Sequence, residues 1–120
     1  MYPTEAIPDN DKAFRRIHKV YLKDGKITPS GFKGNSNNKD SMSVNWERYS
    51  TAEKTKCEAP QPQENAVASF NVGEARKIGN VLVCHDPLCN NRAHSTISGV
   101  KPPKVRLQLC SISKLEISIN

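Results

Sequence analysis

The segment CHDPLCNNRAHSTISG, residues 84–99, decides how the second half of the chain folds. It continues from the apolar run at residues 81–84. Asp86-Pro87 ends that run, because proline has no amide hydrogen for a strand ladder. A second strand is expected at residues 93–97, closed by Gly99. We therefore predict a strand–turn–strand unit whose Asp-Pro turn sets its geometry.

The same segment carries side chains that can bind a metal ion. Cys84, Cys89 and His94 are evenly spaced, with four residues between neighbours, and thiolate and imidazole are ligands that zinc prefers. The spacing lacks the Cys-x2-Cys knuckle of small zinc sites, and Cys84 ends an apolar run, where a thiol often acts as a small core residue. The three residues are therefore weak zinc candidates. No cofactor is expected, and a zinc-stapled interaction module is kept as one alternative.

His18 and His94 are candidates for acid–base chemistry, because imidazole changes its charge near neutral pH. Asp86 is the third candidate catalytic residue. If the strands that carry the two histidines lie side by side, one cleft would hold all three with Arg16 and Arg92, whose planar guanidinium groups suit phosphate. This pattern predicts, as another alternative, a small enzyme acting on a nucleotide, an NAD-like molecule or a phosphodiester.

Residues 12–33 form the most basic part of a protein with a formal charge of +6 and a pI near 9.3. Only Asp24 opposes the cations there, and Phe14, Tyr21 and Phe32 interleave with them, which would allow base stacking beside phosphate contacts. Lys101, Lys104 and Arg106 could extend this region. The candidate phosphate contacts are Lys12, Arg15, Arg16, Lys19, Lys23, Lys26, Lys33 and, from the later segment, Arg92.

The remaining patterns predict a small α+β domain. Strands are expected at residues 14–18, 41–46 and 65–70, a helix from Ser50 with a capping box to Glu53, and a short helix before Gly79. The tail is expected to be helical to about Ser113 and then extended, although an all-strand tail also fits its alternation. We predict a polar arm at residues 1–11 and one domain at residues 12–120. That domain has a mostly antiparallel sheet, two or three short helices and long loops.

Several classes are disfavoured by what the sequence lacks. No stretch approaches the roughly 20 apolar residues that cross a bilayer, and no apolar run follows a basic start as in a secretory signal. A cytoplasmic location with reduced cysteines and no membrane contact is therefore expected. Glycine-rich phosphate loops, nucleophile elbows and the common nucleic-acid-binding motifs are missing as well.

The leading functional prediction is a small basic domain that binds nucleic acid, a nucleotide or another polyanion. Loop-rich connections and the lack of a catalytic signature suit an accessory component of a larger assembly, with a protein partner as a further possibility. Convergence of His18, Arg16, Asp86 and His94 on one pocket would favour the enzyme alternative over this binding function.

Overall fold

The computed structural model describes residues 1–35 and 40–119. Its strands are β1 (Lys12–His18), β2 (Leu22–Lys23), β3 (Lys26–Ile27), β4 (Ser41–Trp46), β5 (Asn65–Asn71), β6 (Leu82–His85), β7 (His94–Ser98) and β8 (Lys114–Ile117). The helices are α1 (Ala52–Cys57), α2 (Val72–Arg76) and α3 (Pro103–Ile112), with 3₁₀ turns at Lys19–Tyr21, Pro29–Phe32 and Pro62–Glu64. Part of the loop expected at residues 34–38 lies outside the described residues.

Six strands form one antiparallel sheet in the order β6-β7-β4-β1-β5-β8. Strands β2 and β3 form a separate hairpin, whose turn residues Asp24 (φ 53°) and Gly25 (φ 76°) are both left-handed, as a two-residue hairpin loop requires. The predicted α+β class with a mostly antiparallel sheet and short helices is confirmed.

The two predicted strands of the strand–turn–strand unit are confirmed, each shifted by one residue from its predicted bounds, but the chain does not reverse at the predicted Asp86-Pro87 turn. Strands β6 and β7 pair in register from Leu82↔Ser98 to His85↔Ser95. The chain reverses where Leu88 and Asn91 exchange backbone hydrogen bonds of 3.0 and 3.1 Å. This reversal places His94 at the first position of β7.

One face of the sheet carries the main core, because alternate residues of each strand point to the same side. Met42, Val44 and Trp46 of β4 are buried there. Helices α2 and α3 cover this face through the buried residues Val72, Ala75, Val105 and Leu109. The tail therefore contains both predicted parts, a helix that ends at Ile112 and the short strand β8, and the all-strand alternative is wrong.

Helix α1 packs on part of the opposite face, over β1 and β5. Thr51 is its N-cap, and the Thr51 hydroxyl accepts from the Lys54 amide at 3.0 Å. The helix therefore starts one residue later than the predicted Ser50–Glu53 capping box would place it. The Ser50 hydroxyl instead lies 3.3 Å from that of Thr55. Ser50 therefore packs beneath the helix and does not cap it.

Part of the N-terminal segment, from Glu5 to Asp11, contacts the domain. Ile7 is buried in the core, the Arg76 guanidinium donates to the Ile7 carbonyl oxygen at 2.8 Å, and Trp46 Nε1 donates to the Asp11 carboxylate at 2.9 Å. Within the part of the chain that the structure describes, no helix combines the length and apolar character needed to span a membrane.

Candidate functional site

The candidate site lies where β1 and β4 separate. These two strands pair only at Ala13↔Trp46 and Phe14↔Asn45. On its other side, β1 pairs with β5 along its whole length, from Lys12↔Asn71 to His18↔Asn65. Strand β4 likewise pairs with β7 from Ser41↔Ser98 to Asn45↔His94. The sheet is therefore open between β1 and β4 beyond Phe14.

Arg15 crosses this opening and holds its edges together. Its Nε, NH1 and NH2 donate to the carbonyl oxygens of Gly31 (3.1 Å), Ser43 (3.0 Å) and Lys33 (3.1 Å). Burial lowers the pKa of Arg15 to about 10, which still leaves it charged at neutral pH. Arg15 was expected to contact phosphate, but its guanidinium is engaged by the backbone of β4 and of the turn at Pro29–Phe32.

A cavity of about 300 Å³ lies at the opening. Most of its lining residues are polar: they include Arg16, Ser43, Thr55, both His18 and His94, and the four asparagines Asn35, Asn45, Asn65 and Asn91, beside the apolar Phe14 and Val44. None of the described residues that line the cavity is an aspartate or a glutamate. The cavity wall therefore presents hydrogen-bonding groups and positive charge without an opposing carboxylate.

Arg16 is the cation that remains available in this cavity. It is exposed, and its hydrogen bond to another described residue is a long one, from NH1 to the Thr55 carbonyl oxygen at 3.4 Å. A guanidinium carries five N–H donors, so most of the Arg16 donors remain available to hydrogen-bond a ligand.

Asparagines fix the floor of the cavity. Asn91 Nδ2 donates to Asn45 Oδ1 at 2.9 Å. Asn45 Nδ2 donates to the Thr55 hydroxyl at 3.0 Å and to Glu58 Oε1 at 3.1 Å. Because both amide hydrogens and the oxygen of Asn45 are engaged, this buried side chain joins β4, α1 and the reversal before β7 into one rigid surface.

His94 lies at one end of the cavity between an acceptor and a hydroxyl. Its Nδ1 lies 2.8 Å from the Asp86 carbonyl oxygen and 3.8 Å from the Asp86 carboxylate. Its Nε2 lies 3.2 Å from the hydroxyl oxygen of Ser43. Since a carbonyl oxygen can only accept, Nδ1 carries the hydrogen, and Nε2 of the neutral ring accepts from Ser43. The Asp86 carboxylate is itself held by the Thr96 hydroxyl at 3.1 Å.

His18 lines the same cavity, but both of its ring nitrogens are occupied. Nδ1 accepts from the Val20 amide at 3.2 Å, and Nε2 lies 3.1 Å from Glu64 Oε1. Glu64 also lies 3.6 Å from the ammonium of Lys19. The strands that carry His18 and His94 are not neighbours, because β4 lies between them. The structure therefore brings Arg16, His18 and His94 to one cavity and places Asp86 behind His94.

The other candidate phosphate contacts do not all lie at this cavity. Lys33 extends over the ring of Tyr21, 6.0 Å from its centroid, and Tyr21 lines the cavity. Lys23 and Lys26 pair with each other across the β2–β3 hairpin. Lys12 begins β1 at the end remote from His18, about 20 Å away at the usual rise of a strand.

Arg92 faces a different neighbourhood. Its guanidinium carbon lies 4.1 Å from the centroid of the Tyr49 ring and 5.2 Å from that of Tyr2. One of its terminal nitrogens lies 3.7 Å from the Glu5 carboxylate. Arg92 is absent from the lining of the cavity, so the cleft predicted to contain it together with Arg16 does not form.

A second groove, of about 870 Å³, adjoins the cavity and shares Tyr21 and Asn35 with it. Lys33, Lys101 and Arg106 line this groove. Lys101 is nearly buried, its ammonium donates to the carbonyl oxygens of Asp40 and Gly99, and burial lowers its pKa. The cavity and the groove are therefore continuous beyond the β1–β4 opening, and the groove lining includes Asp40 as well as these cations.

The zinc candidates do not form a metal site. Cys84 and Cys89 are free and exposed, and Cys84 lies opposite Thr96 in the β6–β7 pair. Across residues 1–35 and 40–119, no three histidine, cysteine, aspartate or glutamate side chains converge as metal ligands would. The even spacing of Cys84, Cys89 and His94 therefore reflects the reversal between β6 and β7 and not a coordination sphere.

Ser43, Asn45 and Thr55 are among the cavity residues that sequence patterns did not single out. The alternation of SMSVNW assigns Ser43 and Asn45 to the polar face of β4, which is a signal for exposure and not for a site. Their role depends on which strand lies beside β4, and that information is non-local.

Comparison of the chain with protein-family models, with curated proteins and with solved structures finds no match. The case for a function therefore depends on the geometry of the cavity.

Proposed function

We propose that the protein binds a phosphate-bearing nucleotide unit of a nucleic acid in the cavity between β1 and β4. The observation that carries the proposal is the lining of the cavity: Arg16 offers unengaged donors, and the described lining residues include no carboxylate. Planar guanidinium groups bind phosphate oxygens through paired hydrogen bonds, which gives the contact both strength and direction.

The size and composition of the cavity suit one nucleotide. About 300 Å³ lies at the lower end of the range for small-molecule sites. Tyr21 at the cavity edge offers a ring on which a base can stack, as aromatic side chains do in proteins that bind single strands. The adjoining groove with Lys33 and Arg106 then supplies charge for neighbouring phosphates, so an extended strand is favoured over an isolated nucleotide.

Two carboxylates near the cavity already have hydrogen-bond or ion-pair partners. Glu64 lies between His18 and Lys19, and Glu58 accepts from the Asn45 amide. The accessory role in a larger assembly and the cytoplasmic location expected from the sequence are compatible with this ligand and remain part of the proposal.

The enzyme alternative gains support from the same cavity, since Arg16, His18 and His94 all line it and Asp86 contacts His94. A mechanism that uses both histidines has a weaker basis, because His18 has no ring nitrogen free of a partner. Any acid–base chemistry would then depend on His94.

Binding of a fluorescently labelled single-stranded oligonucleotide tests the proposal, with the matching mononucleotide as a second arm. Arg16→Gln should weaken oligonucleotide binding about tenfold or more, because a charged hydrogen-bond donor to phosphate typically contributes at least about 1.5 kcal/mol. The matched control is Lys77→Gln, which removes the same charge from the exposed C-cap of α2, across the sheet from the cavity. It should change affinity by no more than about threefold.

Equal effects of the two substitutions would mean that net charge alone drives binding and would refute the cavity as the site. Lack of binding at low salt would refute the proposal altogether, since phosphate contacts are strongest there. Comparable affinity for mononucleotide and oligonucleotide would restrict the ligand to a single nucleotide.

A further inference from the structure

We propose that Ser43 is a nucleophile activated by His94 and that it cleaves a phosphoester of the ligand held in the cavity. The inference rests on the proposed function for its substrate and on a separate feature, the Ser43–His94 hydrogen bond, for its chemistry. A serine hydroxyl is a weak nucleophile unless an adjacent base accepts its proton.

The first support is the direction of that hydrogen bond. Because the Nδ1 hydrogen of His94 is directed at the Asp86 carbonyl oxygen at 2.8 Å, the lone pair of Nε2 faces the Ser43 hydroxyl at 3.2 Å. A general base needs this tautomer. Ser43, His94 and the Asp86 carbonyl oxygen are hydrogen-bonded in series, in the same order as the nucleophile, the base and the group that orients the base in serine hydrolases.

The second support is the position of the pair. Ser43 and His94 both line the cavity, on the adjacent strands β4 and β7. The Ser43 carbonyl oxygen is tied to Arg15 at 3.0 Å, and the His94 ring is held at both nitrogens. Their side chains are therefore positioned by the sheet itself and not by a loop, which keeps the reacting groups in register.

Arg16 gives the pair a phosphate-binding group in the same cavity. During attack on a phosphodiester, the Ser43 oxygen forms a bond to phosphorus as the bond to the leaving oxygen breaks. The Ser43 proton passes to His94 Nε2 and from there to the leaving oxygen, which departs as an alcohol. Water then attacks phosphorus and gives its proton to His94, and Ser43 regains a proton as its bond to phosphorus breaks. The products are a phosphomonoester and an alcohol.

An alkyl fluorophosphonate tests the activated serine without any need for the natural ligand, since it phosphonylates such serines with release of fluoride. Intact-mass measurement should detect one adduct on the wild-type protein and none on Ser43→Ala. His94→Gln should slow the reaction about 100-fold or more, in line with the loss of a general base. The matched control is Ser41→Ala, two residues earlier on the same face of β4, which should react like the wild type.

Lack of an adduct on the wild-type protein, an unchanged adduct on Ser43→Ala, or full reactivity of His94→Gln with a native melting temperature would each overturn the inference. A second measurement separates it from the proposed function. At concentrations that saturate each protein with the oligonucleotide, the wild type should shorten it on a denaturing gel, whereas Ser43→Ala should leave it intact. An intact oligonucleotide after incubation with wild-type protein that binds it would refute cleavage while leaving binding in place.

Discussion

At the scale of single residues, His85 and Glu5 show how side chains attach the N-terminal segment to the sheet. His85 Nδ1 accepts from the Glu5 amide at 3.0 Å, and its Nε2 donates to the Arg92 carbonyl oxygen at 2.7 Å. The Tyr49 hydroxyl donates to the Glu5 carboxylate at 2.6 Å. That hydrogen bond, aided by the charges of Arg48 and Arg92, lowers the pKa of Glu5 below its ordinary value of 4.5 in spite of some desolvation.

Tyr49→Phe tests this contact, because it removes the hydroxyl and keeps the ring. The pKa of Glu5 is lower in the folded than in the unfolded state, so ionised Glu5 stabilises the fold above about pH 4.5. This contribution is lost as the pH falls through the folded value. Urea unfolding should therefore find Tyr49→Phe less stable than the wild type near pH 7, with a smaller difference near pH 3. A difference that stays the same at both values would contradict this account.

At the scale of elements, local patterns predicted most strands because their signals are short-range. Strand β4 begins and ends as predicted, since Met42, Val44 and Trp46 alternate with polar residues. The reversal between β6 and β7 lies at Leu88–Asn91, just after Asp86-Pro87, where the turn was predicted. Helix α1 begins later than predicted because Thr51 and not Ser50 accepts the first-turn amide. Both residues can cap a helix, and only the packing of Ser50 against Thr55 distinguishes them.

Arg15 bridges the opening between β1 and β4 through three hydrogen bonds. Arg15→Lys tests whether these hydrogen bonds stabilise the fold. One ammonium cannot replace three guanidinium nitrogens that reach three separate carbonyl oxygens. We expect the free energy of unfolding in urea to fall by about 1–3 kcal/mol, the usual cost of buried polar groups left without a partner.

Arg16→Lys is the matched control for this substitution, since the two arginines are adjacent and Arg16 is exposed. It should change stability by less than about 0.5 kcal/mol. An equal loss of stability in both variants would show that the Arg15 hydrogen bonds are not what joins β4 to the turn at Pro29–Phe32.

At the scale of the whole molecule, the two ends of the chain meet the sheet at different places. The N-terminal segment reaches the core through Ile7, which is 4% exposed. The C-terminal strand β8 pairs with β5 at the other edge of the sheet. The polar composition of residues 1–11 predicted an arm separate from the domain. Ile7 packs with the core cluster, and hydrogen bonds from Arg76 and Trp46 also hold this segment.

Ile7→Ala should lower the free energy of unfolding by about 2–4 kcal/mol, because it removes buried methyl groups and leaves a cavity. Val20→Ala is the control, since Val20 is 68% exposed and its truncation should cost little. Urea denaturation followed by Trp46 fluorescence measures both, because the Trp46 ring nitrogen bonds to Asp11 within the same segment. Equal stability of the two variants would mean that residues 1–11 do not contribute to the core.

The candidate site could be predicted only in part. Arg16 and His94 were recognisable because guanidinium and imidazole have distinctive chemistry wherever they occur. Ser43 was not, because serine is common on the polar face of a strand and gains its role from one partner. Arg15 was predicted as a phosphate contact on charge alone, but charge does not reveal that backbone carbonyl oxygens already surround it.

The sequence by itself determined the local elements, since alternation, turn residues and proline act over a few positions. It also determined the excess of lysine and arginine in residues 12–33. Only the tertiary structure decided that β4 lies between β1 and β7 and that β1 and β4 separate beyond Phe14. The cavity and the Ser43–His94 contact follow from these facts. The physical reason is distance along the chain: Ser43 and His94 are 51 residues apart, and the cooperative packing of the whole sheet, not any local preference, brings them together.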